Sequence, residues 1–143
     1  MSLSTISREY QRTLEIFNIP RYWALTYIFY KDLNGRETVL DYLYELKNDN
    51  NKDSRIKLNK INDYLELLSK HGLKIGEPYI KHLEGDLWEL RLLRDRIIFV
   101  TREENTLVLL HQFMKSARKT SRREIEKARR EIEILRKRGT LDE

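Results

Sequence analysis

The chain has 143 residues, 40% of them hydrophobic and 36% charged, a balance that excludes general disorder and suits one domain with a sizeable core under a heavily charged surface. There is no cysteine, so disulfides, thiolate metal sites and a cysteine nucleophile are excluded, and a reducing, cytoplasmic setting is expected. The net charge of +5 is localised: residues 1–110 hold 17 Lys and Arg against 17 Asp and Glu, residues 111–143 hold 11 against 6, so the last third implies nucleic acid or an acidic partner.

In chain order, Ile6, Tyr10, Leu14 and Phe17 recur at helical spacing, and Pro20 bars continuation, which predicts a short amphipathic helix over 4–18. RYWALTYIFY is dense in aromatic and branched residues and runs into the turn-forming Asp32-Leu33-Asn34-Gly35, as a strand would. From Arg36 to Leu46, Val39, Leu43 and Leu46 share a helical face, and the polar run from Lys47 to Asp53 is expected as a mobile loop. From Ser54, Leu58, Ile61, Leu65 and Leu68 mark a second helix closed by Gly72. Gly76, Glu77 and Pro78 read as a connector, followed by the strands LWELRLL, RIIFVT and TLVLLHQF as an antiparallel meander. Ser121-x-x-Glu124 is a capping-box pattern, and Ile125, Ala128, Ile132 and Leu135 form the stripe of a final basic helix before Gly139. The sum is an α+β fold: a four-stranded, twisted, mainly antiparallel sheet with helices packed on one face, plus an extra N-terminal helix.

Several chemistries lack their pattern. His71, His82 and His111 have no HxH or HExxH spacing, so no metal is expected, and there is no GxxxxGK[ST], GxGxxG or GxSxG sequence. No apolar run approaches the ~20 residues of a membrane span, and the first residues lack the order of a signal peptide. The final helix has no aromatic, Leu-rich face for membrane insertion, so no membrane partner is expected.

Strict alternation places Leu87, Glu89 and Arg91 on one face of their strand, with Trp88, Leu90 and Leu92 on the core face. Arg96 is in phase with Ile98 and Val100, and His111 and Phe113 are in phase with Leu107 and Leu109. Lys115, Arg118, Lys119, Arg122 and Arg123 then follow in the loop and first turn of the last helix, where free N-terminal amides also favour anions.

The succession LWELR, RIIFV, LLHQFMK and KTSRREIEKARR, together with GEPYIKHLEGDLWELR at 76–91, resembles the RelE/HigB-type toxins of bacterial toxin-antitoxin systems, in their phage-derived branch. The similarity runs from about Trp23 to Arg138, which divides the chain into a helical extension at 1–20, a toxin-like domain at 21–138 and a tail at 139–143. The resemblance implies a microbial-RNase-like sheet that enters the ribosomal A site and cuts mRNA. It also implies silencing by a cognate antitoxin, often a helix-turn-helix protein. Arg91, Arg96 and Lys115 match basic positions that face the scissile phosphate in the wider superfamily. A Tyr common in the terminal segment of RelE proteins has no counterpart in KSARKTSRREIEKA, which leaves the general base open.

RNA carries its own nucleophile, the 2′-hydroxyl, so such an enzyme must align it with the phosphorus and stabilise transition-state charge without metal or organic cofactor. Arg96 and Lys115 are assigned to phosphate stabilisation and Arg91 and Lys119 to backbone orientation, since Arg forks match phosphate oxygens and Lys supplies a point charge. His111 is a candidate general base or acid, and Phe113 a candidate stacking platform. Lys81, Arg118, Arg122 and Arg123 complete the expected RNA contacts.

Plainer roles stand beside these. Arg91 and Arg96 can pair with Glu89 and Asp95, and His111 and Phe113 can simply pack. The distal half of the last helix can be a solvated face with pairs such as Glu126 to Arg130. The main alternative function is a non-catalytic nucleic-acid- or protein-binding module of phage origin; a structural phage protein is a third.

Overall fold

The computed structural model describes residues 26–102 and 106–139. The helix expected over 4–18 lies outside them. Five strands and three helices follow one another: β1 (Thr26–Phe29), α1 (Thr38–Asn48), α2 (Lys52–His71), β2 (Ile80–Glu84), β3 (Leu87–Leu92), β4 (Asp95–Arg102), β5 (Thr106–Met114) and α3 (Arg122–Lys137). The sheet order is β1-β5-β4-β3-β2, with β1 parallel to β5 and every other pair antiparallel.

Two parts of the expected architecture are corrected. The sheet has five strands, not four, because IKHLE forms an edge strand beside β3. Only Ile80 of that strand is fully buried, and Lys81 and His82 face solvent, as suits an edge that must not recruit another chain. Its hydrophobic signal is one residue deep.

The helices also cover both faces of the sheet. On one face Val39, Leu43 and Leu46 of α1 and Ile61, Leu65 and Leu68 of α2 pack on Tyr27, Phe29, Leu90, Leu92, Ile97, Phe99, Leu107 and Leu109. On the other, Ile125, Ala128, Ile132 and Leu135 of α3 pack on Leu87, Ile98, Val100, Val108 and Leu110. Each large side chain so buried contributes about 1.5–3 kcal/mol, so the α3 stripe by itself can dock the helix. A central strand sandwiched this way is apolar on both sides, which is why Ile97 to Val100 run without a polar break.

The polar run after α1 is a short cap rather than a mobile loop. α1 extends to Asn48, and the Asn51 side chain accepts a bond from Ser54 N at 2.8 Å, capping α2. Asp49 accepts from both Asn51 N and the Ser54 hydroxyl at 3.0 Å, so three residues join the helices. At the start of β4, Asp95 is buried on the α1/α2 face and takes a 2.6 Å bond from the Tyr42 hydroxyl and a 2.9 Å ion pair from Lys57. Burial, then the bond to Asp95, pushes the Tyr42 phenol well above its ordinary range. One carboxylate thus ties both helices to the central strand.

Candidate functional site

Three irregularities of the sheet shape the site, the first of them in the hairpin that leads directly into Asp95. The β3–β4 hairpin turns on Leu93 and Arg94, with Leu93 at φ +56, a left-handed conformation unusual for a branched side chain. The Arg96 guanidinium donates to Leu93 O at 2.7 Å and to Asp95 O at 2.9 Å, holding this turn from below. Lys115 N donates to Arg94 O at 2.7 Å, which fixes the chain as it leaves β5 toward α3. On the other side, Gly85 at φ +54 opens the Gly85-Asp86 turn between β2 and β3.

The third irregularity is a β-bulge. Ile98 faces His111, but Phe99 faces Leu109, so Leu110 is the extra residue in β5. The bulge reverses the alternation beyond it. His111 and Phe113 therefore stand on the α3 face, and the expectation that they share a face with Leu107 and Leu109 is corrected.

Between β2, β3, β4 and the Lys115–Ser121 segment lies a cleft of about 360 Å³. Arg91 and Arg96 reach it from the sheet, Lys115, Arg118 and Lys119 from the connecting segment, Lys81 from the edge strand and Arg122 from the helix start. Seven cations meet there with two carboxylates, Glu84 and Glu89, so its field is strongly positive. Among the described residues, Lys81, Lys115, Arg118 and Lys119 form no ion pair, which leaves them available to an anion.

Glu89 sits at the floor, only 3% exposed. Its Oε1 accepts a hydrogen bond from the Thr120 hydroxyl, and its Oε2 lies 3.6 Å from Arg96 Nε and 4.0 Å from Arg91 Nε. Arg96 is itself 4% exposed, and burial draws its guanidinium below the ordinary value, with Glu89 opposing that shift and Arg91 adding to it. Its bonds to backbone carbonyls make Arg96 part of the floor. Arg91 is more open, paired at 2.8 Å with the exposed Glu77, a surface contact that a phosphate can replace.

Glu84 closes the cleft toward the helix. It accepts from Arg122 and, at 2.9 and 2.5 Å, from Arg129, and these two guanidinium groups hold its carboxyl down at about 2. The same pairing raises Arg122 above its usual value. The capping pattern is half fulfilled: Ser121 Oγ accepts from Glu124 N at 3.4 Å, while the Glu124 side chain goes to His111.

Three expected site residues lie outside the cleft. His111 is 2% exposed, with Nδ1 at 2.5 Å from Glu131 and Nε2 at 3.1 Å from Glu124, so both ring nitrogens are engaged in docking α3. Phe113 packs at the edge of the α3 core, 6.0 Å from the His111 ring. Arg123 is exposed on α3 and does not line the cleft. Glu89, Thr120 and Glu84 are the converse: cleft residues of which the sequence pattern points only to Glu89, and to that as an ion-pair partner of the neighbouring arginines. The available signal was a carboxylate inside LWELRLL, in phase with the apolar Leu87.

Residues 41–133 match the family described as Phage derived protein Gp49-like (DUF891), a range that covers most of α1, all of α2, β2 to β5, the connecting segment and most of α3. No curated protein matches the chain.

Proposed function

The chain belongs to the phage-derived Gp49-like family, and from that premise we propose that it is a toxin of a toxin-antitoxin pair, of RelE/HigB type, that cuts mRNA on the ribosome in this cleft. The observation that carries the reading is the gathering of seven cations around one buried carboxylate, at the meeting of β3, β4 and the approach to α3. Such a site offers phosphate charge stabilisation and a proton acceptor together.

The reaction follows from RNA's own chemistry. Glu89 takes the proton of the 2′-hydroxyl, and the oxygen so released forms a bond to the adjacent phosphorus. The bond from phosphorus to the 5′-oxygen breaks, leaving a 2′,3′-cyclic phosphate on one fragment and a 5′-hydroxyl on the other. The departing oxygen takes its proton from the Lys115 ammonium. Lys119 and Arg118 neutralise the flanking phosphates, and Arg91 orients the backbone once Glu77 is displaced. Thr120 marks the position of the nucleophile, since its O–H already donates to Glu89 as the ribose hydroxyl would. No metal or organic cofactor enters this scheme. The partners are mRNA, the ribosome and a cognate antitoxin, expected to be a helix-turn-helix protein, in the cytoplasm.

Two observations favour a second reading, a binding module that cuts nothing: His111 lies outside the cleft and Arg96 is tied to backbone carbonyls, so fewer groups remain to move protons or charge. Expression in a bacterium separates the two. The parent is expected to arrest growth with loss of intact mRNA, and Lys115→Ala with Lys119→Ala is expected to restore growth at equal protein level. A parent harmless at high expression, with mRNA intact, contradicts the toxin reading.

A further inference from the structure

The outer side of α3 carries its charges in two rows. In one, each arginine is held: Arg122 by Glu84 and, at 3.8 Å, by Glu126, Arg129 by Glu84 at 2.5 Å, and Arg136 by Glu133 at 3.3 Å. In the other, Arg123, Lys127, Arg130 and Lys137 follow at steps of four, three and seven, which places them on one side of the helix. All four are exposed, and none forms an ion pair or hydrogen bond with another described side chain. Glu126, the expected partner of Arg130, turns instead to Arg122.

An unpaired row of like charges at i, i+4 and i+7 costs the helix a few tenths of a kcal/mol per pair. A solvated face has no need of that arrangement. The row extends about 21 Å along the helix axis and begins at Arg123, the residue after Arg122, which lines the cleft.

We propose that Arg123, Lys127, Arg130 and Lys137 form a second RNA-phosphate contact, continuous with the cleft, that holds structured RNA beyond the nucleotides being cut. It rests on the reading of the cleft as an RNA site and extends it. The chemistry favours nucleic acid over an acidic protein. Protein interfaces centre on buried aromatic or apolar anchors, whereas the exposed large hydrophobic residues among those described are Leu33, Leu93 and Met114, none of them on α3. Phosphate backbones are bound by charge alone.

The test uses the full chain, a trinucleotide short enough to occupy only the cleft, and a 20-base-pair RNA hairpin, with affinities measured against salt concentration. The variant Lys127→Gln, Arg130→Gln, Lys137→Gln changes exposed side chains only, and an unchanged melting temperature shows that it folds. It is expected to bind the hairpin at least tenfold more weakly at low salt, with the slope of log K against log salt reduced by about 3, while trinucleotide binding is unchanged. Hairpin affinity and slope equal to the parent's overturn the proposal. So does polyglutamate of matched charge binding the parent as tightly as the hairpin and losing affinity in the variant, which assigns the row to an acidic protein. A parent that binds the hairpin through the row but not the trinucleotide supports the row and removes the cleft reading beneath it.

Discussion

Glu89→Gln is expected to lower the rate of RNA cleavage by about 10²–10⁴-fold while RNA affinity stays within a few-fold of the parent. The substitution keeps the size of the side chain and removes the group that accepts the 2′-hydroxyl proton. The phosphate contacts from Arg118 and Lys119 are untouched, so the loss should fall on kcat rather than on KM. Because Glu89 also stands 3.6 Å from the buried Arg96, its neutralisation leaves that guanidinium without its nearest carboxylate and lowers the melting temperature as well. Glu89→Asp separates the two effects. It keeps the charge beside Arg96 but draws the carboxylate back from the cleft, so stability should recover more than activity does. Single-turnover cleavage and thermal melting of both variants check the account, and a Glu89→Gln protein that is folded and fully active would show that the proton goes elsewhere.

The largest stability effect is expected at the opposite face. Asp95→Ala removes the carboxylate shared by Tyr42 and Lys57, leaving a buried phenol and a mostly buried ammonium without their partner. Breaking a buried pair from one side costs about 3–5 kcal/mol, which for a chain of this size corresponds to a fall in melting temperature of roughly 10–20 °C. Tyr42→Phe should cost less, about 1.5–3 kcal/mol, since it removes one hydrogen bond to a charge and leaves the Lys57 pair intact. Denaturant titration of the two variants checks the order. A loss under about 1 kcal/mol for Asp95→Ala would mean that α1 and α2 are held to β4 by apolar packing alone.

What the sequence made legible was set by how strongly each segment repeats. Leu58, Ile61, Leu65 and Leu68 recur often enough to place α2 within two residues of its start, and Ile125, Ala128, Ile132 and Leu135 name the buried stripe of α3. The cations of the cleft were legible too, because a turn and a helix start concentrate them within a few residues. β2 was not, since an edge strand has one buried residue and no alternation to count. The second covered face was hidden by the same sandwiching that makes β4 apolar throughout. The role of His111 was lost to a local event: one extra residue at Leu110 shifts the phase of β5, and counting by twos cannot see it. Glu89 was visible but read as a surface partner of Arg91, because pairing in sequence does not report burial.

The central claim, that the cleft cuts RNA by attack of its own 2′-hydroxyl, is tested most directly by the ends of the fragments. Purified protein incubated with translating ribosomes and a defined mRNA should yield 2′,3′-cyclic phosphate and 5′-hydroxyl termini, formed about 10²–10⁴-fold more slowly by Glu89→Gln. Fragments that carry 5′-phosphates and 3′-hydroxyls, or mRNA that remains whole while translation proceeds, would contradict it.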